Sequence, residues 1–296
     1  MTLFDEKMKQ TAKPFVGSDF LDADYLKIGE VLLSRRAFGL DSYKDRCIKR
    51  RIASRIRARG FSNSTDYVEL LRFDDDELDA LLAILTIHVS QFFRNPSTFL
   101  ELEQKILPEL LERKRRNRET ELKIWSVGCS SGEEPYSLAL LLQDQPLSQV
   151  DVSILATDVS TQILTQAKTG EYDAQRLAEV PLSVRQKYFE QFDGLRFRLD
   201  RKIREHVQFE HQNILDDREY PQVDLIFCRN VMIYFSREEQ SKILTRFARS
   251  LGPDGFLVLG RAETVAEDVR SLYRTECPVE RIYRCVAAPE RGDAVL

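Results

Sequence analysis

The stretch from Leu122 to Leu142 constrains the fold more than any other. Leu122 to Val127 is a short apolar strand that runs into Gly128-Cys129-Ser130-Ser131-Gly132, and an apolar helix follows from Pro135 to Leu142. A strand, a glycine-rich turn and a helix make a ligand cradle by position. Glycine lets the backbone approach a ligand, and the helix N-terminus offers free N–H groups. The same alternation continues downstream. Val152 to Ala156 is a second strand closed by Asp158, Val207 to Phe209 a third, and Val223 to Cys228 a fourth. The fourth is apolar throughout after Asp224, as a buried parallel strand should be. Ser236 with Glu239 forms a capping box that opens another helix. Gly255 to Leu259 and Arg281 to Val286 are the last strands. Strands alternating with helices predict a doubly wound, Rossmann-like α/β sheet.

Two segments break that rhythm. From Ser18 to about Phe93 the apolar spacing is helical throughout, and nothing alternates as a strand would. Between Thr169 and His206 lie a helix (Ser183 to Gln191) and Leu195-Arg196-Phe197-Arg198-Leu199, which alternates cleanly with Leu195, Phe197 and Leu199 on one face. We read this as an inserted lobe with a small antiparallel sheet. The chain therefore divides into a small all-α domain (18–93), a linker helix from Pro96 to Glu112 with a basic loop (94–120), the α/β domain (121–288, insertion 169–206) and a tail (289–296). A length of 296 residues suits two domains, and 43% hydrophobic residues suffice for two cores.

Composition removes several function classes. No apolar run approaches the ~18 residues of a membrane span. Met1 to Phe15 has no apolar core of a secretory leader. The five cysteines are odd in number and none is paired as C-x-x-C, and the three histidines lack nearby thiolates. No disulfide framework and no metal are expected, and the compartment is expected to be the reducing cytoplasm.

The glycine turn itself selects among ligands. Its glycines are spaced by four rather than as G-x-G-x-x-G, and Glu133 and Glu134 follow at once. Two carboxylates there repel a pyrophosphate. They suit a phosphate-free ligand with a positive charge, such as S-adenosylmethionine (SAM), with Asp158 placed to accept ribose hydroxyls. The plainer alternative is two acids that complement the helix dipole.

Gly128-Cys-Ser-Ser-Gly-Glu-Glu-Pro-Tyr-Ser137, Ala156-Thr-Asp158 and Phe227-Cys-Arg-Asn-Val-Met-Ile-Tyr-Phe235, preceded by Ser90-Gln-Phe-Phe-Arg94, resemble the CheR family of chemotaxis receptor glutamate O-methyltransferases. The resemblance runs from about Tyr25 to Cys285. It implies a helical domain before a SAM-binding α/β domain with an inserted β-subdomain, SAM as methyl donor, S-adenosylhomocysteine as product, and no metal. It implies cofactor contacts at His88, Ser90, Arg94, Gly128, Glu134, Asp158, Asn213, Ile214, Asn230 and Val231. Ser90 keeps a hydroxyl where the family usually has Thr, whereas His88 replaces a usual Asn. Gly260-Arg261-Ala262-Glu263 departs from the expected Gly-His-Ser-Glu. Arg94 and Tyr234 are the implied catalytic residues.

Lys44 to Arg59 holds eight basic residues and one acid, with Ile48, Ile52 and Ile56 as an apolar stripe. A solvated face, a nucleic-acid surface and a dock for an acidic helix are all compatible with it. The resemblance favours the dock, with Arg51, Arg55 and Arg57 meeting the Glu-rich helices of methyl-accepting receptors. The link Gln191-Phe192-Asp193-Gly194-Leu195 has one glycine and reads as a tight hairpin turn, so no C-terminal pentapeptide tether is expected. The alternatives are a SAM-binding receptor partner without turnover and a nucleic-acid methyltransferase. The latter lacks an Asp/Asn-Pro-Pro motif, and Cys228 lacks the preceding Pro of a cytosine-attacking thiol. No nucleic-acid partner and no membrane insertion are expected.

Overall fold

The computed structural model describes residues 22–36, 38–86, 90–143, 145 and 150–286. The expected tail lies outside them. The chain forms two compact units, Met1–Ile87 and His88–Leu296.

The first unit is helical: α1 (Asp22–Arg36), α2 (Asp45–Ala58), α3 (Ser64–Phe73) and α4 (Asp75–Leu85). Asn63 caps α3 by accepting from Asp66 N, and Asp74 caps α4 by accepting from Glu77 N. Each such cap is worth about 1 kcal/mol. Ile48, Ile52 and Ile56 are buried as their spacing predicts, packed with Ile28, Leu32, Tyr67 and Leu78.

The basic face of α2 differs from expectation. Arg51 is buried and donates to the carbonyl of Leu85. Arg55 grips Glu77 with two hydrogen bonds of 2.8 and 2.7 Å, Arg59 approaches the same carboxylate at 3.0 Å, and Tyr67 Oη donates to it at 2.7 Å. Burial works against ionisation of Glu77, but the bonds from Arg55 and Tyr67 outweigh it and hold its carboxyl below the usual range. Arg51 and Arg55 thus build the helical unit. Of the three docking candidates only Arg57 is exposed, as is Arg50.

In the second unit Pro96 opens α5 (Pro96–Glu101), which continues through a π-helical turn (Leu102–Ile106) into α6 (Leu107–Asn117). Then follow β1 (Glu121–Val127), α7 (Glu133–Leu142), β2 (Asp151–Asp158) and α8 (Thr161–Thr169). The inserted lobe contains β3 (Glu171–Asp173), α9 (Leu182–Tyr188), β4 (Phe189–Asp193), β5 (Arg196–Leu199) and α10 (Arg201–Arg204). The remainder is β6 (Val207–His211), β7 (Leu225–Cys228), α11 (Arg237–Leu251), β8 (Phe256–Leu259), β9 (Tyr273–Cys277) and β10 (Ile282–Cys285).

The main sheet has the order β6-β2-β1-β7-β8-β10-β9, parallel from β6 to β8, with β10 antiparallel to β8 and β9 antiparallel to β10. Trp125 is fully buried in the middle of β1, and its ring N–H donates to Thr157 Oγ1 on β2 at 2.9 Å. That bond removes the cost of burying the indole nitrogen.

The insertion is a separate antiparallel sheet, β3-β5-β4. Phe197 and Leu199 face inward as predicted. Leu195 does not: it lies in the turn and is 74% exposed. Phe92 packs edge-on against Tyr172 and Phe189, which ties the 90–93 segment to the second unit rather than to the helical domain where the sequence reading ended it. Among the described residues no helix is long and apolar enough to cross a membrane.

Candidate active site

Strand order reverses between β1 and β7, and at such a point the carboxyl ends of a parallel sheet open a crevice. The expected site residues follow those strand ends. Gly128 follows β1, Asp158 ends β2, Asn213 and Ile214 follow β6, and Asn230, Val231 and Tyr234 follow β7. Ser90 and Arg94 arrive from the segment before α5. His88 lies outside the described residues.

The glycine turn is built for close approach. Gly128 has φ +67°, and a Cβ there would stand 2.5 Å from Val231 Cγ2. Only glycine lets the β1 and β7 turns touch. Asp158 clamps this turn: its Oδ2 accepts from Ser130 N at 2.9 Å and its Oδ1 from Ser160 N at 3.0 Å. Ser130 has φ +52°, is nine-tenths buried, and its hydroxyl meets no partner. Phe93, Asn95 and Asn230 also have positive φ. Such backbone costs about 1–3 kcal/mol per residue for ordinary side chains and concentrates at functional sites.

The two glutamates at the start of α7 do different things. Glu133 is fully buried and structural. Ser131 Oγ donates to it at 2.8 and 2.9 Å, and Arg176 of the insertion pairs with it at 3.2 Å. Arg176 also donates to the Ser90 carbonyl. Glu134 points the other way. Ser126 Oγ donates to it at 3.2 Å, and Arg229 Nη1 stands 3.8 Å from Oε2. Burial pushes its carboxyl up to about 8, against the pull of Arg229 and Arg94.

Two residues to which sequence reasoning gave no role organise the site. Arg229 donates from Nη1 to the Arg94 carbonyl at 2.8 Å and from Nη2 to Asn95 Oδ1, and its side chain is 1% exposed. Glu263 is buried; its Oε2 accepts from Asn230 N at 2.9 Å and Gly260 N at 2.6 Å, and its Oε1 from Ile233 N at 3.2 Å. It holds the loop that carries Asn230, Val231 and Tyr234. The Arg261 that replaces the expected His bridges Glu280 at 2.7 Å and Ser97 at 2.6 Å, outside the crevice residues. A signal for Arg229 was present: a charged residue directly after a wholly apolar strand needs a buried partner. Asn213 Oδ1 accepts from Leu215 N at 3.0 Å, and the Ile214 carbonyl accepts from Tyr220 Oη and Arg246, which fixes the loop after β6. Cys228 is fully buried and burial raises its thiol well above the usual range, the opposite of an activated nucleophile.

The residues present fit SAM: the buried Ser130 hydroxyl of the glycine turn has no partner, and the Glu134 carboxyl beside Arg229 can pair with a cation once ionised. Comparison with known proteins agrees. The family model for the CheR methyltransferase all-alpha domain matches residues 23–86, and that for the CheR methyltransferase SAM-binding domain matches residues 88–280. A chemotaxis protein methyltransferase of Borreliella burgdorferi is 33% identical over 80% of this chain and 86% of its own. That of Listeria monocytogenes is 36% identical over 83% of this chain and 91% of its own. Chemotaxis protein methyltransferase 1 of Pseudomonas aeruginosa is 33% identical over 83% and 91%.

Proposed function

The chain belongs to the CheR methyltransferase family, a SAM-dependent methyltransferase of chemotaxis, and from that premise we propose that it methylates glutamate side chains of chemotaxis receptors, forming glutamyl methyl esters. One observation carries the choice of an anionic acceptor: a half-buried arginine, Arg94, stands at the crevice close enough to act on both Glu134 and Arg229.

SAM supplies an electrophilic methyl group on a sulfonium. Glu134 takes the positive amino-acid end, Asp158 the ribose hydroxyls, and Asn213 and Ile214 flank the adenine. Asn230 and Val231 close the crevice beside Gly128. A glutamate acceptor is already ionised at neutral pH, so no base has to remove a proton. The remaining work is alignment and the exclusion of water from two charges. Arg94 holds the acceptor carboxylate through its forked guanidinium, and Tyr234 borders the reacting methyl.

Asp158→Ala removes a ribose acceptor and loosens the glycine turn together. Affinity for S-adenosylhomocysteine is expected to fall at least tenfold, about 1.4 kcal/mol, in titration calorimetry. A folded variant that binds like the wild type would refute the placement.

Receptor recognition follows from the helical unit. Arg50 and Arg57 on α2 meet acidic receptor helices, since Arg51 and Arg55 are bound internally. The tight hairpin around Gly194 leaves little backbone to hold a tethering peptide, so recognition is independent of a receptor C-terminal peptide. The test is labelled methyl transfer from SAM to purified receptor cytoplasmic fragments. Arg50→Glu with Arg57→Glu should lower transfer about tenfold at moderate salt, where exposed charges act over ~8–10 Å, and should leave S-adenosylhomocysteine affinity unchanged. Fragments with and without the C-terminal peptide should be methylated alike. Transfer unaffected by the charge reversal, or lost with the peptide, would reject this mode of docking.

A further inference from the structure

We propose that Arg229 is a positioning residue of the active site, one guanidinium that both holds the backbone carrying Arg94 and faces Glu134 as its counter-charge. The proposal rests on the reading of Glu134 as the acid that receives the cofactor's positive end.

A buried arginine is costly unless its donors are satisfied, and here they are used asymmetrically. Nη1 and Nη2 reach the Arg94 carbonyl and Asn95 Oδ1, two neighbours in a segment where Phe93 and Asn95 both have left-handed backbone. The guanidinium lies 5.9 Å from the ring centre of Phe99 and 5.5 Å from that of Phe227, which confines it. Nε finds no partner. Nη1 remains 3.8 Å from Glu134 Oε2, too far for a full hydrogen bond yet near enough for strong charge coupling in a dry site. The two groups are thus paired by charge without a hydrogen bond between them, which leaves the carboxyl oxygen able to take one from a ligand.

The groups facing Glu134 come from every neighbouring element. Arg229 follows β7 and Arg94 precedes α5; both favour the anion. Glu263, after β8, opposes it. Ser126 on β1 donates a hydrogen bond, and the thiols of Cys129 and Cys228 are close enough to feel its charge. Burial outweighs the rest and pushes the carboxyl up to about 8. The sign follows directly. Below that pH Glu134 is mostly protonated, binding a cationic end requires losing the proton, and affinity rises with pH until the group is ionised. Without Arg229 the rise must occur at higher pH.

The experiment is calorimetric titration of the full chain with S-adenosylhomocysteine across the neutral and mildly alkaline range. The variants are Glu134→Gln, Arg229→Met, Arg229→Gln and Arg229→Lys. Ratios between variants cancel the titration of the ligand's own amine. The wild type is expected to gain affinity with pH relative to Glu134→Gln. Either neutral replacement of Arg229 is expected to move the midpoint up by about one pH unit or more, so that affinity near neutrality falls about tenfold. Arg229→Lys keeps the charge without the fork, and is expected to return the midpoint to the wild-type value. A loss of affinity that is equal at all pH values in whichever neutral variant folds, with no shift of midpoint, would overturn the proposal, as would a lysine variant that shifts like the neutral ones. A wild type whose pH profile matches Glu134→Gln would instead remove the reading of Glu134, and the proposal with it.

Discussion

Glu263→Ala is expected to cost at least about 3 kcal/mol of stability and to abolish cofactor binding. The buried carboxylate accepts from Asn230 N and Ile233 N in the half-buried loop after β7 and from the buried Gly260 N after β8. Stranding a buried donor costs about 1–3 kcal/mol, and three would be stranded at once. Glu263→Gln keeps one oxygen and turns an amide N–H₂ toward backbone donors, so an intermediate loss is expected. Urea denaturation of the second unit and S-adenosylhomocysteine calorimetry report the two effects. An alanine variant as stable as the wild type would show that the loop after β7 is held by something other than this carboxylate.

Arg94→Ala is expected to slow methyl transfer by about 100-fold or more, equivalent to about 2.7 kcal/mol of transition-state stabilisation. The fold should survive, because the Arg94 carbonyl that anchors the segment to Arg229 is kept in the variant. Turnover should therefore fall far more than cofactor affinity. Tyr234→Phe removes only a hydroxyl and is expected to cost about tenfold. Single-turnover assays separate the chemical step from binding. If Arg94→Ala binds the cofactor and transfers methyl groups at the wild-type rate, the acceptor is held elsewhere.

Much of the sheet could be read from sequence because buried parallel strands are apolar on both faces. Leu225-Ile226-Phe227-Cys228 and Phe256-Leu257-Val258-Leu259 are buried at every position. The strand Tyr273–Cys277 escaped notice for the opposite reason. It is an edge strand with Arg274, Thr275 and Glu276 exposed, and such a sequence has no apolar period to detect. Glu171–Asp173 is three residues long and becomes a strand only through its pairing with Arg196–Leu199. The π-helical turn at Leu102–Ile106 leaves the helical spacing of Pro96 to Glu112 almost unchanged, so the sequence shows one helix.

The site divides similarly. The placement of Gly128, Glu134 and Asp158 at the carboxyl end of the sheet was legible, because each directly follows or closes a strand or its turn. For Arg229 the sequence showed only a charge after an apolar strand, and for Glu263 nothing, because the partners lie far away in sequence: Glu134 and the Arg94 segment for one, Asn230 and Ile233 for the other. Arg51 and Arg55 illustrate the reverse error. A basic run reads as a surface until Glu77 is found among it, and one buried carboxylate takes Arg55 while a helix-end carbonyl takes Arg51.

The central claim is that the product is a carboxylate ester on receptor glutamate. The direct measurement is the fate of label transferred from methyl-labelled SAM to a receptor cytoplasmic fragment, after brief treatment with mild base. An ester hydrolyses to the free carboxylate and methanol, so the label should leave the protein as volatile methanol, and fragments with the modified glutamates changed to alanine should take up none. Label that stays on the protein through base treatment would mean methylation of nitrogen or another base-stable atom, and would contradict the account.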